Sequence, residues 1–125
     1  MARTKSAHFT EAELRLMNVL WDKGPATVSE VAEAVTGEPP LAYNTVLTML
    51  RIMEGKGYLR HTKEGRAFLY EACVNREEAS SGAIRQVLAK FFNNSPELLV
   101  ANLLNDEAIG QKEIDRLKKL IAQHK

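Results

Sequence analysis

Apolar side chains recur every three or four residues along most of this chain and change to alternation in one short stretch. Leu14, Met17, Leu20 and Trp21 form one helical stripe. Thr10-Glu11-Ala12-Glu13 starts that helix as a capping box, in which hydroxyl and carboxylate each satisfy an otherwise orphan amide. Gly24-Pro25 ends it. Thr27-Val28-Ser29-Glu30 is a second capping box and opens a short helix with Val28, Val31, Ala32 and Val35 inward. Thr36-Gly37-Glu38-Pro39-Pro40 breaks that helix. The run from Leu41 to Arg60 then predicts a third helix, with Val46, Leu50 and Met53 on its inner face. It stops at Lys56-Gly57 and passes directly into a strand at Tyr58-Leu59-Arg60. Tyr58 to Thr62 and Ala67 to Glu71 read as a hairpin joined by Lys63-Glu64-Gly65-Arg66, with Gly65 supplying a positive φ. Leu59, Phe68 and Tyr70 offer apolar side chains to one face of it.

From Asn75 onward the pattern is helical again. Asn75-Arg76-Glu77-Glu78 repeats the cap-and-glutamate start, and Ile84, Val87, Leu88, Phe91 and Phe92 form a broad apolar face. Asn93-Asn94-Ser95-Pro96-Glu97 ends that helix and caps another, with proline in its first turn. Leu98, Leu99, Ala101, Leu103 and Leu104 make the new helix too apolar for an isolated surface element. A last helix, Gln111 to Gln123, carries Ile114, Leu117, Leu120 and Ile121 on one side. The predicted fold is mostly α: an N-terminal winged helix-turn-helix with a two-stranded wing over residues 1–74, then a helical dimerisation region over residues 75–125. The surface expected to join two chains comprises Val87, Phe91, Leu99, Leu103, Ile114, Leu117, Leu120 and Ile121. Folding back onto the N-terminal part is the competing use of that surface.

The outer face of the third helix suggests what the first part does. Asn44, Thr45, Thr48 and Arg51 lie on or near it. Short hydrogen-bonding side chains on a helix let it approach base edges in the DNA major groove. Helix, turn, helix, loop and polar-faced helix is the helix-turn-helix order. Thr45, Thr48 and Asn44 are placed as base contacts. Arg51, Lys63 and Arg66 are placed mainly as phosphate contacts, Arg60 as a further DNA-binding residue, and Tyr43 either packs or hydrogen-bonds a phosphate. A solvated polar face is the ordinary alternative for one such helix taken alone.

Charge sharpens this locally. The whole chain carries 17 Lys+Arg and 16 Asp+Glu, a formal net charge of +1, which is low for a phosphate binder. Between Arg51 and Arg66, however, five basic residues face two acidic ones. Arg3 and Lys5 add a basic N-terminal arm. The hydrophobic fraction of 45% is ample for a core within 125 residues. No apolar run approaches ~20 residues, so no membrane insertion is expected, and no leader-like start marks a secreted precursor. A lone cysteine, Cys73, fits a reducing cytoplasm. His8, His61 and His124 have no metal-ligand spacing with Cys73, so neither metal nor other cofactor is expected. No nucleophile–base grouping or phosphate loop is present, which argues against an enzyme.

Taken in order, these motifs resemble the penicillinase-repressor family of bacterial transcriptional regulators, the BlaI/MecI/CopY group. The resemblance runs from about Phe9 to the C-terminus. It is carried by Thr10 to Leu14, Val19-Leu20-Trp21, Gly24 to Val28, Ala42 to Leu50, Glu54 to Tyr58, Gly65-Arg66-Ala67 with Tyr70, and a tail with Phe92, Ser95, Leu99 to Leu103 and Glu113. It implies a homodimeric winged-helix repressor bound to inverted repeats of the TACA/TGTA type. It also implies derepression when a membrane sensor with a zinc-protease domain triggers cleavage in the dimerisation helices. The bond matching the cleaved one is Asn102-Leu103, with leucine in place of the aromatic residue. Asn44 stands where many members carry threonine, a point at which operator preference can change. The paired C-terminal cysteines of the copper-responsive branch are missing. A winged helix serving only protein–protein contact is the reading from a different class; the polar α-helical face and basic wing favour DNA.

Overall fold

The computed structural model describes residues 9–124; the basic arm at Arg3 and Lys5, and His8, lie outside them. Six helices and a small sheet follow in the order α1 (Glu11–Lys23), β1 (Ala26–Thr27), α2 (Val28–Ala34), α3 (Tyr43–Gly55), β2 (Leu59–Glu64), β3 (Ala67–Ala72), α4 (Arg76–Phe91), α5 (Pro96–Leu104) and α6 (Gln111–Gln123). The chain divides into two compact units that meet between Ala83 and Ile84, inside α4. α4 therefore begins in the first unit, where Ala79 and Gly82 are buried, and continues into the second.

Both capping boxes form. The Thr10 hydroxyl accepts from the Glu13 amide at 3.1 Å and the Glu13 carboxylate from the Thr10 amide at 3.0 Å. Thr27 and Glu30 repeat the exchange at 3.2 and 2.9 Å. Loss of either hydroxyl would cost about 1 kcal/mol. The expected stripe of α1 needs correction. Leu14 is exposed and Trp21 half-buried, whereas Leu16 and Val19 join Met17 and Leu20 inside. The buried face is the one that packs with Val28 and Val31 of α2 and Val46, Leu50 and Met53 of α3, and Glu13, at the head of the helix, lies buried with its carboxylate paired to Lys56.

The first unit has one core. Leu16, Met17, Val31, Val46, Leu50 and Met53 are fully buried, with Tyr58, Leu59 and Tyr70 closing it from the sheet side. Phe9 lies edge-on to both Trp21 and Tyr58. Trp21 Nε1 donates to the Val74 carbonyl at 2.8 Å, and the Arg76 guanidinium lies over its ring while pairing with Asp22 at 2.8 Å.

The sheet has three strands in the order β1-β3-β2, all antiparallel. The third strand was not expected: Ala26 pairs with Tyr70 and Thr27 with Leu69. Two residues are too few to show alternation, and Thr27 is legible only as a cap. The hairpin is also tighter than the sequence suggested. Glu64 pairs with Ala67, so the loop is Gly65-Arg66 alone rather than four residues. Gly65 takes φ 62° at the first loop position, where a two-residue turn of type II′ requires glycine. Leu59, Tyr70 and Phe68 share one face of the ladder, and Phe68, nearest the hairpin tip, is exposed there.

In the second unit, Asn93 and Asn94 take left-handed φ and break α4 from α5. Ser95 caps α5 with its hydroxyl 3.2 Å from the Leu98 amide, and Pro96 fills the first turn. The Glu113 carboxylate accepts from the Gly110 amide at 2.9 Å at the start of α6. No residue from Ile84 to His124 is buried. No helix among the described residues is long and apolar enough to cross a membrane.

Candidate nucleic-acid interface

α3 is built as a helix with two unlike faces. Val46, Leu50 and Met53 anchor it by complete burial, and truncating one of them to alanine should cost ~2–5 kcal/mol. With its back fixed, the front is presented to solvent: Tyr43, Asn44, Thr45, Thr48 and Arg51 are all exposed, as the sequence places them. Gly57, at φ 89°, turns the chain out of the helix so that β2 starts beside it.

Three side-chain contacts hold the front in register with its surroundings. Lys56, just past the end of α3, donates to the buried Glu13 carboxylate at 2.8 Å and so ties α3 to the head of α1. Burial alone would raise the Glu13 carboxyl. The Lys56 ammonium and the Thr10 hydrogen bonds outweigh it and hold the group below its usual value. Glu13 in turn holds the Lys56 ammonium above its usual value. The second contact joins α3 to the wing: His61 Nδ1 lies 2.8 Å from the Glu54 carboxylate, with its ring against those of Phe68 and Tyr70. The third is Arg51 with the Tyr70 hydroxyl. Burial pushes that phenol up, Glu54 adds to the shift, and Arg51 opposes it.

The wing distributes its charges unevenly. Lys63 is exposed near the tip, on the face of β2 that carries Leu59 and His61, and Arg66 is exposed in the turn. Arg60 lies on the opposite face and is paired with Glu71 directly across the ladder. The structure thus groups Asn44, Thr45, Thr48 and Arg51 on one helix face with Lys63 and Arg66 on the adjoining hairpin. Arg60 is the member turned away from Lys63 and already engaged. The His61–Glu54 clasp had no signal in the sequence, since its partners sit on different elements and each is ordinary for a surface. Among the described residues no group of His, Cys, Asp or Glu could hold a metal ion.

A family model described as penicillinase repressor matches residues 9–123. The chain belongs to the penicillinase repressor family. Penicillinase repressors are transcriptional repressors and not enzymes. The penicillinase repressor of Bacillus licheniformis is 28% identical over 97% of this chain and 94% of its own length. The transcriptional regulator BlaI of Mycobacterium tuberculosis is 29% identical over 95% of this chain and 86% of its own. The solution structure of the DNA-binding domain of the repressor BlaI matches with 31% identity and a TM-score of 0.50, covering 56% of this chain and 85% of that domain. The winged-helix fold expected from the sequence is therefore that of its relatives.

Proposed function

We propose that this protein is a sequence-specific DNA-binding repressor that acts in the cytoplasm as a homodimer on inverted-repeat operators. The observation that carries the reading is the outer face of α3. Asn44, Thr45 and Thr48 are exposed on a helix pinned by three fully buried residues, beside a hairpin whose tip bears Lys63 and Arg66. Short polar side chains on a rigid helix suit base edges, and flexible cations beside them suit phosphates. The DNA-binding domain among the relatives supports the same use.

Dimerisation rests on a separate observation. Phe91, Leu98, Leu120 and Ile121 are each more than half exposed, and no residue from Ile84 to His124 is buried. A unit without a buried residue has no closed core of its own, and this much exposed apolar surface suits an interface. Of the residues assigned to it, Val87, Phe91, Leu120 and Ile121 are exposed, whereas Leu99, Leu103, Ile114 and Leu117 are half-buried within the chain. A second copy would cover the first four directly. Two linked heads then hold two half-sites at high effective concentration. Derepression belongs to the same proposal: a membrane sensor-protease system triggers cutting at Asn102-Leu103, which divides the dimer surface and leaves each head intact.

Selection of bound duplexes from a random library tests the reading. The expected result is an inverted repeat with half-sites about one DNA turn apart. Recovery of no common sequence would overturn it.

A further inference from the structure

The front of α3 carries one side chain that the DNA-reading assignment does not use. Seven residues of the helix are exposed: Tyr43, Asn44, Thr45, Thr48, Arg51, Ile52 and Gly55. Ile52 is the single aliphatic among them, and half of its surface is open. Its neighbours define where it points. Thr45, Thr48 and Ile52 follow one another at three- and four-residue steps and so form one ridge. Arg51, one residue earlier, leans the other way, toward Tyr70 of the wing. Ile52 therefore stands on the reading face, on the side away from the wing, one helical turn beyond Thr48. The only carboxylate of α3, Glu54, is held by His61.

Resting on the repressor reading above, we propose that Ile52 reads thymine, by packing its branched side chain on the base's 5-methyl group. In the major groove that methyl is the one apolar feature a base pair presents, and it distinguishes thymine from cytosine and from the purines. An isoleucine set beside two threonines, which can also offer methyl groups, gives that contact from a helix already fixed by its back. One turn of helix advances about 5.4 Å and one base pair about 3.4 Å. The thymine read by Ile52 thus lies one or two base pairs from the position read by Thr48. A single exposed aliphatic residue is ordinary on a protein surface, so the placement on this ridge, not the exposure, carries the inference.

The test uses the full chain and the duplex recovered from the random library. Each thymine in the half-sites is replaced in turn by deoxyuridine, which removes the methyl and leaves the pairing edge unchanged. At one thymine per half-site, the wild-type protein should lose about fourfold in affinity, as expected for one buried carbon. Ile52→Ala should bind the thymine and uracil duplexes alike at that position while keeping wild-type affinity for random DNA. Because Ile52 lies outside the core, the variant should retain the wild-type melting temperature. Wild-type indifference to uracil at every thymine, or sensitivity kept in Ile52→Ala, overturns this inference alone. Failure of the library to yield any common sequence overturns the repressor reading and this inference together.

Discussion

At the residue scale, exposed positions on α3 and the wing divide into those that discriminate and those that hold. Thr45 sits on the reading ridge, so Thr45→Ala should lower operator affinity by about 1–3 kcal/mol and leave random duplex almost unaffected. Arg66, in the hairpin turn, should behave oppositely: Arg66→Ala weakens both duplexes alike and reduces the salt slope by about one. Fluorescence anisotropy across a salt series separates the two, and an unchanged operator-to-random ratio in Thr45→Ala removes that residue from the base contacts. Glu13 gives a different kind of prediction. Its carboxyl is held below its usual value in the fold. The stability it contributes is therefore fully present above the ordinary glutamate value of the unfolded chain and is lost as pH falls through the lower folded-state value. Glu13→Gln should be less stable than wild type at neutral pH, and the gap should narrow in acid. Calorimetry from neutral pH into acid checks this; a constant gap means that Glu13 contributes only through packing.

At the element scale, the hairpin is aimed by a side-chain clasp. His61 meets Glu54 at 2.8 Å and stacks on Phe68 and Tyr70, so the wing is tied to the helix whose face it flanks. His61→Ala should cost about 0.5–1.5 kcal/mol and raise hydrogen exchange in β2 and β3 more than in α1. Equal exchange in both would show that the ladder alone sets the wing. α5 offers a second test. It is a nine-residue helix without a buried residue, so local opening there costs little. Asn102 is exposed at its outer face and Leu103 half-buried. In the native host under cell-wall antibiotic stress, an immunoblot should show a fragment ending near Asn102, with slower loss in Asn102→Asp. An intact chain at derepressed promoters would contradict cleavage as the switch. What the sequence made legible follows the same division. Caps and long apolar periods were readable because local chemistry decides them: Thr10, Thr27, Asn75 and Ser95 all cap as their types suggest. The strand at Ala26 and Thr27, the rotated face of α1 and the His61 clasp were not, because each is decided by a partner distant in sequence. For the candidate site, the exposed front of α3 was legible from its buried back, whereas the engagement of Arg60 by Glu71 across the ladder was not.

At the scale of the whole molecule, two units of unlike character share one chain. The first closes a core around Leu16, Val31, Leu50 and Tyr70; the second closes none. A protein so built should be a dimer at micromolar concentration, and a fragment ending at Ala83 should stay folded but monomeric. Sedimentation of both checks this, and a monomeric full chain would remove the second unit from any role in pairing. The central claim, that two linked heads read a repeated sequence, is tested most directly by one titration. Full-length protein is bound to the selected inverted repeat, to a single half-site in the same flanks, and to random duplex, at one salt concentration. The account predicts much tighter binding to the repeat than to the half-site, and tighter binding to the half-site than to random DNA. Equal affinity for all three would contradict it.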